Sequence, residues 1–142
     1  MDAAAIERIE SSFNLLAPRG PELVDRFYAM LFARYPAVRP MFPTEMTAQK
    51  RKLLSSIALV IQNLRNLEQI RNVLFEMGRR HAGYGAQPTH YVAVRDTLID
   101  VMAALTGPQW TAQLTGDWKA AFDFVADRML EGHAAAKETA TA

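Results

Sequence analysis

Gly20-Pro21-Glu22-Leu23-Val24-Asp25-Arg26-Phe27-Tyr28-Ala29-Met30-Leu31-Phe32 is the stretch that decides the fold class. Its apolar residues Leu23, Val24, Phe27, Tyr28, Leu31 and Phe32 recur at the spacing of one helix face, not in the alternation of a strand. Pro21 opens the run, where its fixed φ suits a first helical turn and its missing N–H costs nothing. The reading is an amphipathic helix.

The same period continues downstream. Pro36, Pro40 and Pro43 crowd a short region and predict one tight turn of helix and a corner. Thr47 reads as the N-cap of the next helix, whose apolar set is Leu53, Ile57, Val60, Ile61 and Leu64. Asn66, with Gln69 three residues on, resembles a capping box for a helix ending near His81. Pro88 and Thr89 open a further helix carrying Tyr91, Val94, Leu98, Val101, Met102 and Leu105. Gly107-Pro108 starts the last and longest, with Trp110, Leu114, Trp118, Phe122, Val125 and Met129 along one stripe. The tail over 134–142 is small and polar and is expected to fray, leaving 1–133 as the folded domain. No segment carries a strand or hairpin signal. The expectation is an all-α fold with about six main helices and a short corner helix, less regular than a four-helix bundle.

Composition narrows the function classes. A chain of 142 residues is one domain of common size, able to bury roughly 70% of its unfolded surface. The net charge of +1 argues against a dedicated nucleic-acid binder. Cysteine is absent, which excludes disulfides, thiolate metal sites and cysteine nucleophiles. No uncharged stretch approaches the ~20 residues of a membrane helix. The start, Met1-Asp2-Ala3-Ala4-Ala5-Ile6-Glu7-Arg8, has acids early and no signal-peptide pattern, so a cytoplasmic protein without a membrane partner is expected.

Chemistry concentrates at His81, in Gly78-Arg79-Arg80-His81-Ala82-Gly83-Tyr84-Gly85, where a helical pattern meets a glycine-rich break. An imidazole at a helix end suits a metal centre: one ring nitrogen binds the metal while the other donates to a backbone carbonyl. Two residues are judged with it. Tyr28 lies on an apolar stripe, and Gln49 is four residues before Leu53, so that amide and leucine share a face, as expected where something polar sits across a cavity. Each has a plainer reading. A histidine near a helix C-terminus complements the dipole, a stripe tyrosine is usually core, and a first-turn glutamine is usually solvated. A metal site built from His81, His90 and His133 together lacks ligand spacing and a carboxylate cluster.

Taken together and in order, several pieces resemble single-domain bacterial globins and the globin domain of flavohaemoglobins, over nearly the whole length up to the tail. They are Arg26-Phe27-Tyr28-Ala29-Met30-Leu31-Phe32, Met41-Phe42, Gln49-Lys50-Arg51-Lys52-Leu53, Gly78-Arg79-Arg80-His81, Tyr84-Gly85 and His90-Tyr91, with Trp118 in support. The resemblance implies a b-type haem in a pocket of a globin fold. His81 would be the proximal iron ligand and Phe42 the corner phenylalanine against the porphyrin. Tyr28, Gln49 and Leu53 would line the distal side. Lys52, with Arg79 or Arg80, would reach the haem propionates, and Met77, Val94 and Leu98 would pack on the ring.

Those implications carry over to function. No histidine falls at the distal positions, so the sixth iron site is expected to be open or water-ligated. Tyr28 and Gln49 are expected to act as two donors to bound oxygen, each contributing roughly 1.5–3 kcal/mol, or ~10–100-fold in dissociation. The implied role is reversible binding of O2, NO and CO, for oxygen storage or delivery or for nitric oxide detoxification, by a monomer or weak dimer. Flavohaemoglobins add a flavin- and NADH-binding reductase, so turnover here as a nitric oxide dioxygenase or weak peroxidase implies an external reductase. Their proximal histidine is also pushed toward imidazolate by a tyrosine, matched by Tyr91, and a late-helix glutamate. An ungapped alignment from Trp118 puts Ala135 at the glutamate's place, with Glu131 one turn earlier, which implies a weaker push. A third reading is a haem-less helical sensor or scaffold.

Overall fold

A computed structural model describes the backbone of residues 1–141 and side chains through Glu138. Six α-helices follow one another: α1 (Ala3–Leu16), α2 (Gly20–Arg34), α3 (Thr47–Gln62), α4 (Arg71–Gly83), α5 (Pro88–Thr106) and α6 (Ala112–Thr141). Short 3-10 segments over Ala17–Arg19, Pro36–Met41, Leu64–Ile70 and Gly107–Gln109 join them, and no strand occurs among the described residues. Asp2 caps α1 by accepting from the Ala5 N–H at 2.8 Å. Pro21 sits in the first turn of α2, and the Pro36–Met41 segment is the expected corner.

Several helix ends differ from the sequence expectation, each for a local reason. Thr47 is the first residue of α3, not its cap. The Glu45 carboxylate lies two residues upstream and accepts both the Thr47 N–H, at 2.8 Å, and the Thr47 hydroxyl. Asn66 caps nothing. It is a kink with φ −154° and ψ 72° inside the 3-10 segment, and α4 begins only at Arg71. Leu64, Leu67 and Ile70 are buried at a spacing of three, which suits a 3-10 turn better than an α-helix. The reciprocal capping box lies instead at Gln87 and His90, at the start of α5. Gly107, with φ +76°, ends α5, and α6 starts after Thr111, whose hydroxyl accepts from the Leu114 N–H at 3.1 Å. Trp110 therefore precedes that helix. α6 runs through Thr141; Ala142 lies outside the described residues.

The core gathers Ile9, Leu16, Leu23, Phe27, Leu74, Val101, Met102 and Trp118, all essentially inaccessible. Trp118 Nε1 donates to Ser12 Oγ at 2.9 Å, and Arg8 pairs with Asp117 through two bonds of 2.6 and 3.0 Å, fastening α1 to α6. α2 packs on α5 and α3, and α4 packs chiefly on α6. That last contact is backbone on backbone. A methyl group at Gly78 would overlap the Met129 carbonyl, and one at Gly132 would overlap the Phe75 carbonyl. Glycine is required at both because the helices cross there without room for a side chain. No helix among the described residues is long and apolar enough to cross a membrane.

Candidate functional site

His81 occupies the last turn of α4 and is half-buried. Its Nδ1 lies 2.6 Å from the Met77 carbonyl oxygen one turn earlier. A carbonyl only accepts, so Nδ1 carries the proton and donates, and the lone pair falls on Nε2. Nε2 has no hydrogen-bond partner among the described residues. The chain then turns sharply: Ala86 N–H donates to His81 O at 3.1 Å, and Gly85 takes φ +90° to allow it. The glycine-rich break in the sequence is this turn.

Tyr28 and Gln49 meet on a second set of elements, α2 and α3. Gln49 Nε2 donates to Tyr28 Oη at 3.1 Å. The Tyr28 ring is 4% exposed, and burial raises its pKa while the Gln49 bond partly opposes that, so the phenol keeps its proton. With one lone pair filled by Gln49, the hydroxyl proton remains for another acceptor. Gln49 gives one of its two amide N–H groups to Tyr28, so the two side chains are linked, and its second N–H remains for another acceptor. Around the phenol stand Phe27 (4.9 Å between ring centroids), Phe42 (5.6 Å) and Phe32 (5.8 Å).

Phe42 is held in place by a residue the sequence reading passed over. Arg39 lies over the Phe32 ring at 4.9 Å and donates to the carbonyls of Pro43 at 3.0 Å, Thr44 at 3.3 Å and Phe42 at 3.4 Å. The signal available was an arginine among three prolines, since a proline-rich corner leaves carbonyls without helical donors. Leu53, Met77, Tyr91 and Val94 are half-buried against the core, and Leu98 is fully buried. Lys52 and Arg80 are exposed and make no ion pair among the described residues, whereas Arg79 pairs with Glu76. His90 is committed to its cap, and no group of three or more metal-capable side chains gathers among the described residues.

Tyr91 stands beside His81, with ring centroids 6.5 Å apart. Glu131 does not join them: it is paired with Arg71 and Arg128 at an exposed position. The residue next to Tyr91 is His133, 6.1 Å away ring to ring and 3% exposed. Burial first, then Lys137 and His81, hold its pKa below the usual histidine value. The sequence reading weighed His133 only as a distant metal ligand.

The family model for globins matches residues 25–129 of this chain. The chain belongs to the globin family. An uncharacterized globin-like protein of Aquifex aeolicus (strain VF5) is 27% identical over 125 residues, covering 88% of each chain. The flavohemoprotein of Vibrio cholerae is 28% identical over 131 residues, 89% of this globin but 33% of that protein; this globin thus spans about a third of the flavohemoproteins it matches. An engineered carbene transferase from Rhodothermus marinus, named a "putative nitric oxide dioxygenase", superposes with a TM-score of 0.89 at 25% identity, over 100% of this chain and 99% of its own. The bacterial globin of Campylobacter jejuni superposes at 0.85 with 24% identity, over 96% and 99%, which speaks to the fold.

The residues present fit a haem. A globin haem asks for one imidazole nitrogen with a free lone pair, apolar walls and a gap between two helices. His81 Nε2 is such a nitrogen. Phe42, Leu53, Met77 and Val94 keep exposed apolar surface although each packs on the core. Leu53 comes from α3, His81 and Met77 from α4, Val94 from α5 and Phe42 from the corner, and α3 and α4 make no extensive contact with each other.

Proposed function

We propose that this globin binds b-type haem through His81 and takes up O2, NO or CO reversibly on the opposite side. When bound, haem supplies a ferrous iron with one position open to a small gas. The chain's residues do the rest. Met77 O fixes the His81 tautomer, so that a neutral imidazole presents Nε2. Tyr28 Oη, oriented by Gln49 Nε2, offers its proton to the guest. Phe42 and Leu53 keep water from that donor, and Lys52 and Arg80 are cations free to meet the haem carboxylates. The observation that carries this reading is the 2.6 Å bond from His81 Nδ1 to Met77 O, which leaves Nε2 unclaimed. The absorption spectrum of purified protein titrated with haemin tests it. A Soret band that His81→Gly abolishes and added imidazole restores is expected. A colourless protein, or a spectrum indifferent to the substitution, would favour the haem-less scaffold reading.

A second reading, nitric oxide dioxygenase, draws on the flavohemoprotein relatives and the Rhodothermus marinus neighbour. It calls for an external reductase, and Glu131, paired with Arg71 and Arg128 away from Tyr91, argues for a weaker proximal push. Mixing the oxygenated protein with NO in a stopped-flow instrument, with and without cellular reductases, separates the two: sustained NO consumption supports the enzyme, and a single turnover supports simple binding. We infer a cytoplasmic monomer or weak dimer, on the composition and the lack of a membrane-crossing helix among the described residues.

A further inference from the structure

Beside His81, three polar atoms are buried without a partner among the described residues: the Tyr91 hydroxyl oxygen and both ring nitrogens of His133. Tyr91 comes from α5 and His133 from α6, and their rings meet nearly at right angles, 79°, with centroids 6.1 Å apart. A neutral imidazole has one donor and one acceptor nitrogen, and a phenol has one donor and acceptor lone pairs. Buried groups of this kind are almost always satisfied, by each other or by an enclosed water with two to four polar partners. Here the two residues are complementary in donors and acceptors and adjacent, yet make no direct hydrogen bond. One enclosed water between them would supply the donor and acceptor that each lacks.

The backbone makes the arrangement rigid. His133 follows Gly132, which is pressed against the Phe75 carbonyl of α4, and Gly78, one turn before His81, is pressed against the Met129 carbonyl of α6. His133 and His81 are therefore fixed relative to each other by a crossing that cannot slide. Tyr91 lies close to both, 6.5 Å from His81 and 6.1 Å from His133.

We propose that His133 is a positioning residue for the iron ligand: through one enclosed water it holds the Tyr91 hydroxyl, and Tyr91 in turn fixes the plane of the His81 ring. This rests on His81 being the iron ligand. The link is neutral. A carboxylate in that place would pull on the chain of donors and make His81 more electron-releasing, whereas His133 only orients it.

The test uses the iron–histidine stretching band of the ferrous haem protein in resonance Raman spectra. His133→Leu and Tyr91→Phe are each expected to shift the band, and the double variant to shift it no further than the larger single. His133→Gln, which keeps a donor and an acceptor, is expected to return it toward the wild-type position. His133→Glu is expected to raise the frequency and lower the reduction potential. A band unmoved by both single substitutions in variants that keep wild-type helicity, or fully additive shifts, would overturn the proposal. A second measurement is independent of haem. In protein prepared without haemin, NMR is expected to show slowly exchanging Tyr91 hydroxyl and His133 ring protons; rapid exchange of both would overturn the link. If the wild type shows no Soret band but these protons exchange slowly, the haem reading fails while the water-bridged pair stands.

Discussion

At Tyr28 the hydrogen-bond direction changes what a substitution means. Gln49 donates one N–H to the phenol, so in the proposed pocket Tyr28 offers its own proton to a guest and Gln49 orients it. Tyr28→Phe is expected to raise the O2 dissociation rate about tenfold or more, the worth of one hydrogen bond to a charged acceptor. Gln49→Leu is expected to raise it less. Stopped-flow rates should show the double variant close to Tyr28→Phe alone; additive effects would mean that Gln49 reaches the guest itself. His133 carries the pH dependence. Its folded pKa is lowered by burial, by Lys137 and by His81, so the unfolded chain takes the proton first. Its contribution to stability is intact above the ordinary histidine value of about 6.5 and declines as pH falls through that value toward the lowered folded one. Urea denaturation is expected to show this decline in the wild type and a flatter profile in His133→Leu. His81 and Tyr28 stand out in the sequence as candidates because their residue types and positions on a helix face suggest chemistry. His133 does not, because a lone histidine far along the chain has no local signature; only the α4–α6 crossing brings it beside Tyr91.

Helix existence followed from apolar period, and helix ends did not, because ends are decided by competition between nearby donors and acceptors. Glu45 outreaches Thr47, and the buried triplet Leu64, Leu67, Ile70 outweighs the Asn66 cap. The helix contact that matters most, α4 on α6, rests on glycines that no period reveals. Gly132→Ala is expected to destabilise the protein by about 2–3 kcal/mol, in the range of core overpacking, and to weaken haem retention by shifting His81. Gly116 lies on the same helix with open space around the position of a Cβ. Gly116→Ala is expected to stabilise by roughly 0.5–1 kcal/mol through helix propensity alone. Denaturant midpoints of the pair check both signs. Equal responses would mean that the close crossing does not limit the fold.

Across the molecule, α1, α2, α5 and α6 form a framework closed by Trp118, Phe27 and the Arg8–Asp117 pair, and α4 is locked to α6. α3 is the exception. It leans on α2 and α1 along part of its surface, leads into a kinked 3-10 segment and makes no extensive contact with α4. A ligand between α3 and α4 would therefore supply packing that the chain itself does not. Binding to the folded state alone stabilises it by mass action, roughly 2.7 kcal/mol at a hundredfold excess over Kd, and that much is shared by every globally exchanging amide. Amides that exchange by local opening should gain in addition where the ligand replaces missing contacts. Hydrogen exchange with and without haemin is thus expected to show the largest extra protection in α3 and in residues 64–70, with less in α1 and α6. A uniform gain along the chain would mean that α3 is already as firmly held as the framework and that the gap between α3 and α4 is not where haem binds.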